Sequence, residues 1–447
     1  MSDQIVESVK TAIEEIDKRG LKGDVYALKE KAIGHSIKKG ELSESSGYDD
    51  IGLGIRVIKD DKIGFGYCVP GKEEKGVKHA IELSDFSERL DLELPSEKDT
   101  PGVEVYDEKV RDVIEDSEGA ELTQKMIDGS SSVADDITPT RGGLNVSMGT
   151  RVIGNTEGLF LKEKGSSIFG SVTVSIPQEE TSLQATEIGV DCKLDLDFEE
   201  IGGKAANKVD SIRSSSERLS GDHPVVISPY AITQLIGFGL IPAINGENVR
   251  KGKSVYQGKI GEKVASEDLL MKDDPTVDWG VGSGAFDDEG VISKDTPIIS
   301  DGILKNFIYD LKESAKDEKE STGNGVRSGF KSLPETTHRN IVLEGEGKDR
   351  DDLMPDKGIY VDNVLGAHTA NPVSGDFSVV TNPVWRVEDG ERKGRIDGLM
   401  ISGNLPEILK SIELADDRKK CFLQIGSRRL IIETPTVRLN DVTISGK

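Results

Sequence analysis

The chain has 447 residues, with 57 Lys and Arg against 82 Asp and Glu, a net charge of −25 at pH 7. A surface that negative repels phosphate backbones and anionic headgroups, so no nucleic-acid partner and no membrane partner is expected. Apolar residues make up 35% and aromatics 5%. At this length that suffices for about two or three packed domains, because larger chains bury a larger share of their surface.

Three widely spaced cysteines, Cys68, Cys192 and Cys421, form no CxxC pair, which argues against a disulfide framework or a zinc ribbon. A reducing, cytoplasmic location fits. The opening MSDQIVESVK has no basic segment followed by an apolar one, so no signal peptide is expected there. The longest apolar run, Leu235 to Ile244, is broken by Gly237, Gly239 and Pro242 and is too short to cross a bilayer.

In chain order, residues 3–19 predict an amphipathic helix, with Ile5, Val9, Ala12, Ile13 and Ile16 on one stripe and Gly20 placed to end it. Strands are expected at 25–31, 32–38, 52–59 and 62–68, with KDDK at 59–62 as a hairpin turn. A helix follows at 75–83. Together these make an N-terminal α+β module over 1–90. The polar stretch 90–103, with two prolines, reads as a linker. Residues 104–215 form a second α/β segment: helices near 109–114 and 120–126, a hairpin pattern over 143–176, and a helix over 199–215 with Ile201, Ala205, Ala206, Val209 and Ile212 as its stripe. The polar run 214–224 marks a boundary. From 222 to 447, after a strand at 225–227 and a helix over 230–240, short strands and turn signals dominate. The fold class is therefore α+β: an N-terminal α/β region followed by a C-terminal β-rich, barrel-like domain.

Most catalytic signatures are missing. Gly246 and Gly252 are one residue too far apart for a phosphate loop, and no GxSxG or HExxH is present. His79 and Glu82 could share a helix face, yet a solvated surface explains them better. The acidic runs at 287–289 and 349–352 read as solvated charge, the first less firmly because apolar segments flank it. Two polar, glycine-rich stretches stand out, 314–329 and 366–378. The first reads as a long flexible loop. The second packs His368, Thr369, Asn371, Ser374 and Asp376 close together, and such loops often carry function.

FDDEGVISKDTPIISDGILKNFIYDL (286–311), STGNGVRSG (321–329), GAHTANPVSGDFS (366–378), the N-terminal 40–65 and IDGLMISGNLPEIL (396–409) together resemble the TldD/PmbA family, on its PmbA (TldE) side. The resemblance spans nearly the whole chain. It implies a dimer enclosing a cavity for unfolded peptide, in cytoplasmic proteins that degrade or process peptides. It also implies that the TldD-type subunit carries zinc through HExxxH, with two His as ligands and Glu as general base. Counting between the strand at 225–227 and NVRKGKS (248–254) puts Gly237, Phe238 and Pro242 where His, Glu and His would stand. A late family cysteine is also replaced: Gln424, Gly426 and Ser427 fit a Q-C-G-S turn, with Ile425 in the cysteine's place and Cys421 four residues away.

The expected reading is a zinc-free, accessory subunit with no catalytic residue and no bound cofactor, paired with a zinc-bearing TldD-like chain. Asn324, Arg327, His368, Asn371, Ser374 and Asp376 are the expected peptide-lining residues. A self-sufficient hydrolase built on His368 and Asp376, and a homodimeric peptide-binding protein, are the alternatives.

Overall fold

The computed structural model describes residues 2–179, 182–425, 428–440 and 442–446. Its first sheet is built on four unusually long strands. After helix α1 (Ser2–Asp17), strands β1 (Lys22–Lys38), β2 (Glu41–Lys59) and β3 (Lys62–Cys68) form an antiparallel meander. Lys39 and Gly40 turn the first hairpin and Asp60 and Asp61 the second, all four at positive φ, which is what a two-residue hairpin turn requires. Helices α2 (Glu73–Ser84), α3 (Glu108–Glu115) and α4 (Gly119–Ser131) follow, then strands β4 (Thr138–Asn155), β5 (Phe160–Pro177) and β6 (Ser182–Asp191), and helix α5 (Phe198–Ser211). The strand order is β3-β2-β1-β4-β5-β6. Residues from the 1–90 module and the 104–215 segment thus share one sheet. β1 is continuous where two strands were expected, because it is laddered on both sides, to β2 and to β4.

The amphipathic stripes bury as their spacing requires. Ile5, Val9, Ala12 and Ile16 of α1 pack with Val25, Ile55, Val57 and Val77. Each large aliphatic side chain so buried contributes about 1.5–3 kcal/mol. A second core joins α3, α4 and α5 to β4 and β5 and reaches Tyr360 and Trp385 of the C-terminal region. Helix α2 lies so close to β3 that a Cβ on Gly64 would stand 1.8 Å from the Ala80 carbonyl oxygen. Gly64→Ala must push the helix away, and a loss of about 1–3 kcal/mol is expected from the urea midpoint.

The C-terminal region is β-rich, but no closed barrel forms among the described residues. Its strands span two to seven residues and assemble into two six-stranded sheets, a five-stranded sheet and a two-stranded ribbon, each with free edges. A barrel needs its first and last strands to pair at matched tilt and register. Here parallel pairings instead tie distant segments together, Lys357–Val361 with Val225–Ile227 and Ile341–Glu344 with Arg428–Thr434. The stretch 314–329 is not a long flexible loop either. Leu311–Lys316 is helical and Gly325–Val326 pairs with Glu335–Thr336. No helix among the described residues is long and apolar enough to cross a membrane. Cys68, Cys192 and Cys421 are all unpaired and buried.

Candidate functional site

Helix α6 (Pro229–Leu235) starts from Ser228, whose Oγ accepts from the Ala231 N–H at 3.1 Å. The expected single helix over 230–240 does not continue as α. Residues Ile236–Leu240 widen into a π-turn, with the Ile241 N–H donating to the Ile236 carbonyl at 2.9 Å. Such turns are rare and concentrate at functional sites. The widening sets Ile236 and Ile241, five residues apart, one turn from each other; the first and last positions of HExxxH are also five apart, the first falling inside this turn and the last opening the tighter turn Pro242–Ile244 that follows. Here those positions are Gly237 and Pro242, with Phe238 between. A Cβ on Gly237 would already stand 2.9 Å from Leu423 and Leu430. None of the three side chains offers a donor atom, and leucines close the space beside the first. These residues do not fit a zinc ion.

The start of the 366–378 stretch packs against this turn, with Ala370 beside Gly239. His368 stands edge-on to Phe238, ring centroids 6.2 Å apart. The Asn371 Oδ1 accepts from the Val373 N–H at 2.9 Å. Asp376 accepts from Ser374 Oγ at 2.7 Å and from Asn404 Nδ2 at 2.8 Å, and these bonds, Asn404 first, hold its carboxyl below the usual range. His368, Asn371 and Asp376 are exposed and Ser374 half-buried. No hydrogen bond joins His368 to Asp376 among the described residues. Gly426 and Ser427 lie outside the described residues. Cys421 is buried, and desolvation pushes its thiol up to about 12, so it is no ready nucleophile or ligand.

Asn324 and Arg327 lie elsewhere, at the junction of the first sheet with the C-terminal region. Asn324 is buried; its side-chain amide donates to Asp273 and to the Thr337 carbonyl. Arg327, fully enclosed, donates to the Ser332 carbonyl at 2.7 Å and to Asp24 at 3.3 Å. Around it runs a buried ionic network that sequence reasoning missed. Arg56 bridges Asp24 and Glu289, each at 2.5 Å, and Arg151 bridges Glu163 at 2.5 Å and Asp288 at 2.8 Å. The run 287–289 is therefore not solvated, because arginines from three distant segments enter to meet it. Asp287 accepts from the backbone N–H groups of Gly325 and Val291; burial and then Glu289 beside it push its carboxyl up to about 7. By contrast Asp349 and Asp351 at the other acidic run are exposed and Asp349 caps a short helical turn, as expected of solvated charge. A cavity of about 710 Å3 opens at the junction, lined by Tyr26, Arg151, Glu163, Asp288, Arg327 and His338 among others.

The arrangement has known counterparts. The profile of the PmbA/TldA metallopeptidase C-terminal domain matches residues 220–446, and those of domain 1 and the central domain match 23–84 and 103–211. The chain belongs to the PmbA/TldD family. It is similar to an uncharacterized protein of Methanocaldococcus jannaschii, 27% identical over 88% of this chain and 91% of that one. It is also similar to a metalloprotease TldD homolog of Buchnera aphidicola, 26% identical over 98% and 96%. The metalloprotease PmbA of Escherichia coli O157:H7 is 24% identical over 94% and 93%. Among solved structures, a Thermotoga maritima protein described as a modulator of a DNA gyrase superposes with a TM-score of 0.88 at 25% identity, covering 99% of this chain and all of that one. TldE from Thermococcus kodakarensis gives the same TM-score at 24% identity over the same coverage, a likeness of fold. The six peptide-lining positions expected from the family resemblance thus fall in two places. His368 meets the widened turn through Phe238, and Asn371, Ser374 and Asp376 share its loop, while Asn324 and Arg327 belong to the buried junction, where Arg327 alone of the pair lines a cavity.

Proposed function

We propose that this PmbA/TldD-family chain is a zinc-free subunit that pairs with a TldD-like chain and helps it hold unfolded peptide for cleavage. The observation that carries the reading is the π-turn at 236–240 and the turn that follows it: Gly237 and Pro242 stand five apart, as the histidines of HExxxH would, yet Gly237, Phe238 and Pro242 supply neither ligand nor base. The zinc and the general base then come from the partner. The exposed residues Leu365, Val380 and Met400 support assembly, since they sit opposite one another on three neighbouring strands of the five-stranded sheet. Exposed apolar rows of this kind mark partner surfaces. The solvent-facing polar loop carrying His368, Asn371, Ser374 and Asp376 supports a peptide-facing side. The unpaired cysteines fit the cytoplasm.

The test is zinc content together with cleavage of an unstructured peptide, for the chain alone and mixed with a TldD-like partner. No zinc and no cleavage alone, with chelator-sensitive cleavage in the mixture, is the expected result. Stoichiometric zinc or cleavage by the pure chain would overturn the reading and favour a self-sufficient hydrolase. A stable homodimer that takes up peptide and ignores the partner would favour a binding protein.

A further inference from the structure

A second cavity, of about 470 Å3, lies away from the widened turn and from the junction network. It opens where free edges of three sheets converge: β6, the Glu391–Arg395 strand and the Lys419–Ile425 strand. Edge strands present main-chain N–H and C=O groups that a further extended segment can pair with. Part of this potential is already used. Lys208 Nζ donates to the Thr186 carbonyl at 3.3 Å, and Arg395 exchanges backbone bonds with the 214–216 segment, leaving Glu391–Lys393 open.

The charge of this cavity is opposite to that of the protein. Seven Lys or Arg line it against three Asp or Glu, in a chain of net charge −25. Five of the seven cations are paired: Lys208 with Glu187 at 2.7 Å and Asp362 at 3.0 Å, Lys420 with Asp191 at 2.9 Å, Lys204 with Glu200 at 3.1 Å, Lys393 with Glu391 at 2.5 Å and Arg350 with Asp417 at 3.7 Å. Arg392 and Lys419 have no carboxylate partner among the described residues. Arg392 lies over the Tyr360 ring at 4.4 Å and the Trp385 ring at 5.6 Å. Arg350 also stands over Tyr360, at 5.5 Å, and donates to its hydroxyl at 3.2 Å. Stacking on rigid aromatics holds a guanidinium ready for a carboxylate at little entropic cost. The remote negative charge of the protein does not cancel this, because at physiological salt charges beyond about 8 Å are largely screened.

We propose that this cavity binds an acidic stretch of extended polypeptide, its carboxylates meeting Arg392 and Lys419 and its main chain pairing with a free edge. The two unpartnered cations stand on different edge strands, so a chain carrying several carboxylates engages both. The inference rests on the peptide-holding role proposed above and adds the charge of the peptide preferred.

The experiment uses the full chain and fluorescence anisotropy of labelled Glu-rich, Gln-rich and Lys-rich peptides of equal length. The Glu-rich peptide is expected to bind at least about tenfold tighter than the Gln-rich one. That advantage should shrink as salt is raised and be lost in the Arg392→Ala, Lys419→Ala double variant, whose two side chains are exposed and outside the core. Equal affinity for Glu-rich and Gln-rich peptides, or an unaffected double variant, overturns the proposal. So does displacement of the peptide by inorganic phosphate at matched charge, which would mark a small-anion site. If the charge preference fails while Gln-rich peptide still binds and partner-dependent cleavage persists, this inference alone falls. If no peptide of any charge binds, the peptide-holding role falls with it.

Discussion

Arg56→Met is expected to lower the stability of the protein by about 3–5 kcal/mol, the cost of stranding buried charge. The Arg56 side chain is 2% exposed and its partners Asp24 and Glu289 are fully enclosed. Asp24 keeps Arg327 at 3.3 Å, and among the described residues Glu289 keeps only the Leu311 N–H, at 2.7 Å, so Glu289 suffers the larger loss. Replacing the carboxylate as well should return much of the stability, because a neutral group needs no cation. Denaturant unfolding of Arg56→Met and of Arg56→Met with Glu289→Gln measures both. A change within about 0.5 kcal/mol, the range of ordinary surface substitutions, would mean that water reaches the junction and screens it. The magnitude matters for function, since this network, together with the core that reaches Tyr360 and Trp385, joins the first sheet to the C-terminal region.

His338 sets the second large effect. Both of its ring nitrogens are buried with no hydrogen-bond partner among the described residues, and desolvation lowers its pKa to about 4. The folded state therefore holds it neutral. Its contribution to stability is complete above the unfolded value of about 6.5 and is lost as pH falls through that value toward 4. The size is on the order of 3 kcal/mol, from about 1.4 kcal/mol per pKa unit. Asp287 and Asp310 act with the opposite sign. Burial, then Glu289, raises each to about 7, so their contribution is complete below the ordinary carboxyl range and lost as pH rises through about 7. Subtracting a His338→Phe variant cancels the carboxyls. The stability difference between wild type and variant should fall by that amount between pH 7 and pH 4. A difference that stays flat over this interval would show that the imidazole is already protonated or solvated in the folded protein.

Local pattern was legible wherever local physics decides the structure. The α1 stripe, the Asp60–Asp61 turn and the α5 face all follow from spacing and turn chemistry within a few residues. The buried ionic junction was not, because its contacts are distant along the chain. Glu289 meets Arg56 across 233 positions and Asp288 meets Arg151 across 137, so the acidic run carried no nearby sign of its partners. The widened turn was hidden for another reason. Its distinguishing hydrogen bond joins residues five apart, and IGFGL reads as ordinary helix with glycines in it. The antiparallel hairpin of Lys419–Ile425 and Arg428–Thr434 was passed over, since Lys419, Lys420, Arg428 and Arg429 mask an apolar alternation that the strands bury in part. The 366–378 stretch stands out by its composition, yet its Asn371 and Ser374 spend much of their hydrogen-bonding capacity within the loop itself.

The sheet that joins β1 to β4 has a consequence for how the gene could be divided. The ladder runs unbroken from the Asp24–Asn155 pair to the Lys38–Arg141 pair, and the connector between its two halves passes through residues 96–100, all exposed. Cutting the chain there removes no ladder hydrogen bond and uncovers no core. Two separately made polypeptides divided at that point would carry everything needed to find each other, whereas neither half could bury its own edge strand alone. A fission of the gene in this connector is thus compatible with an intact protein, and an exchange of one half for an unrelated module is not.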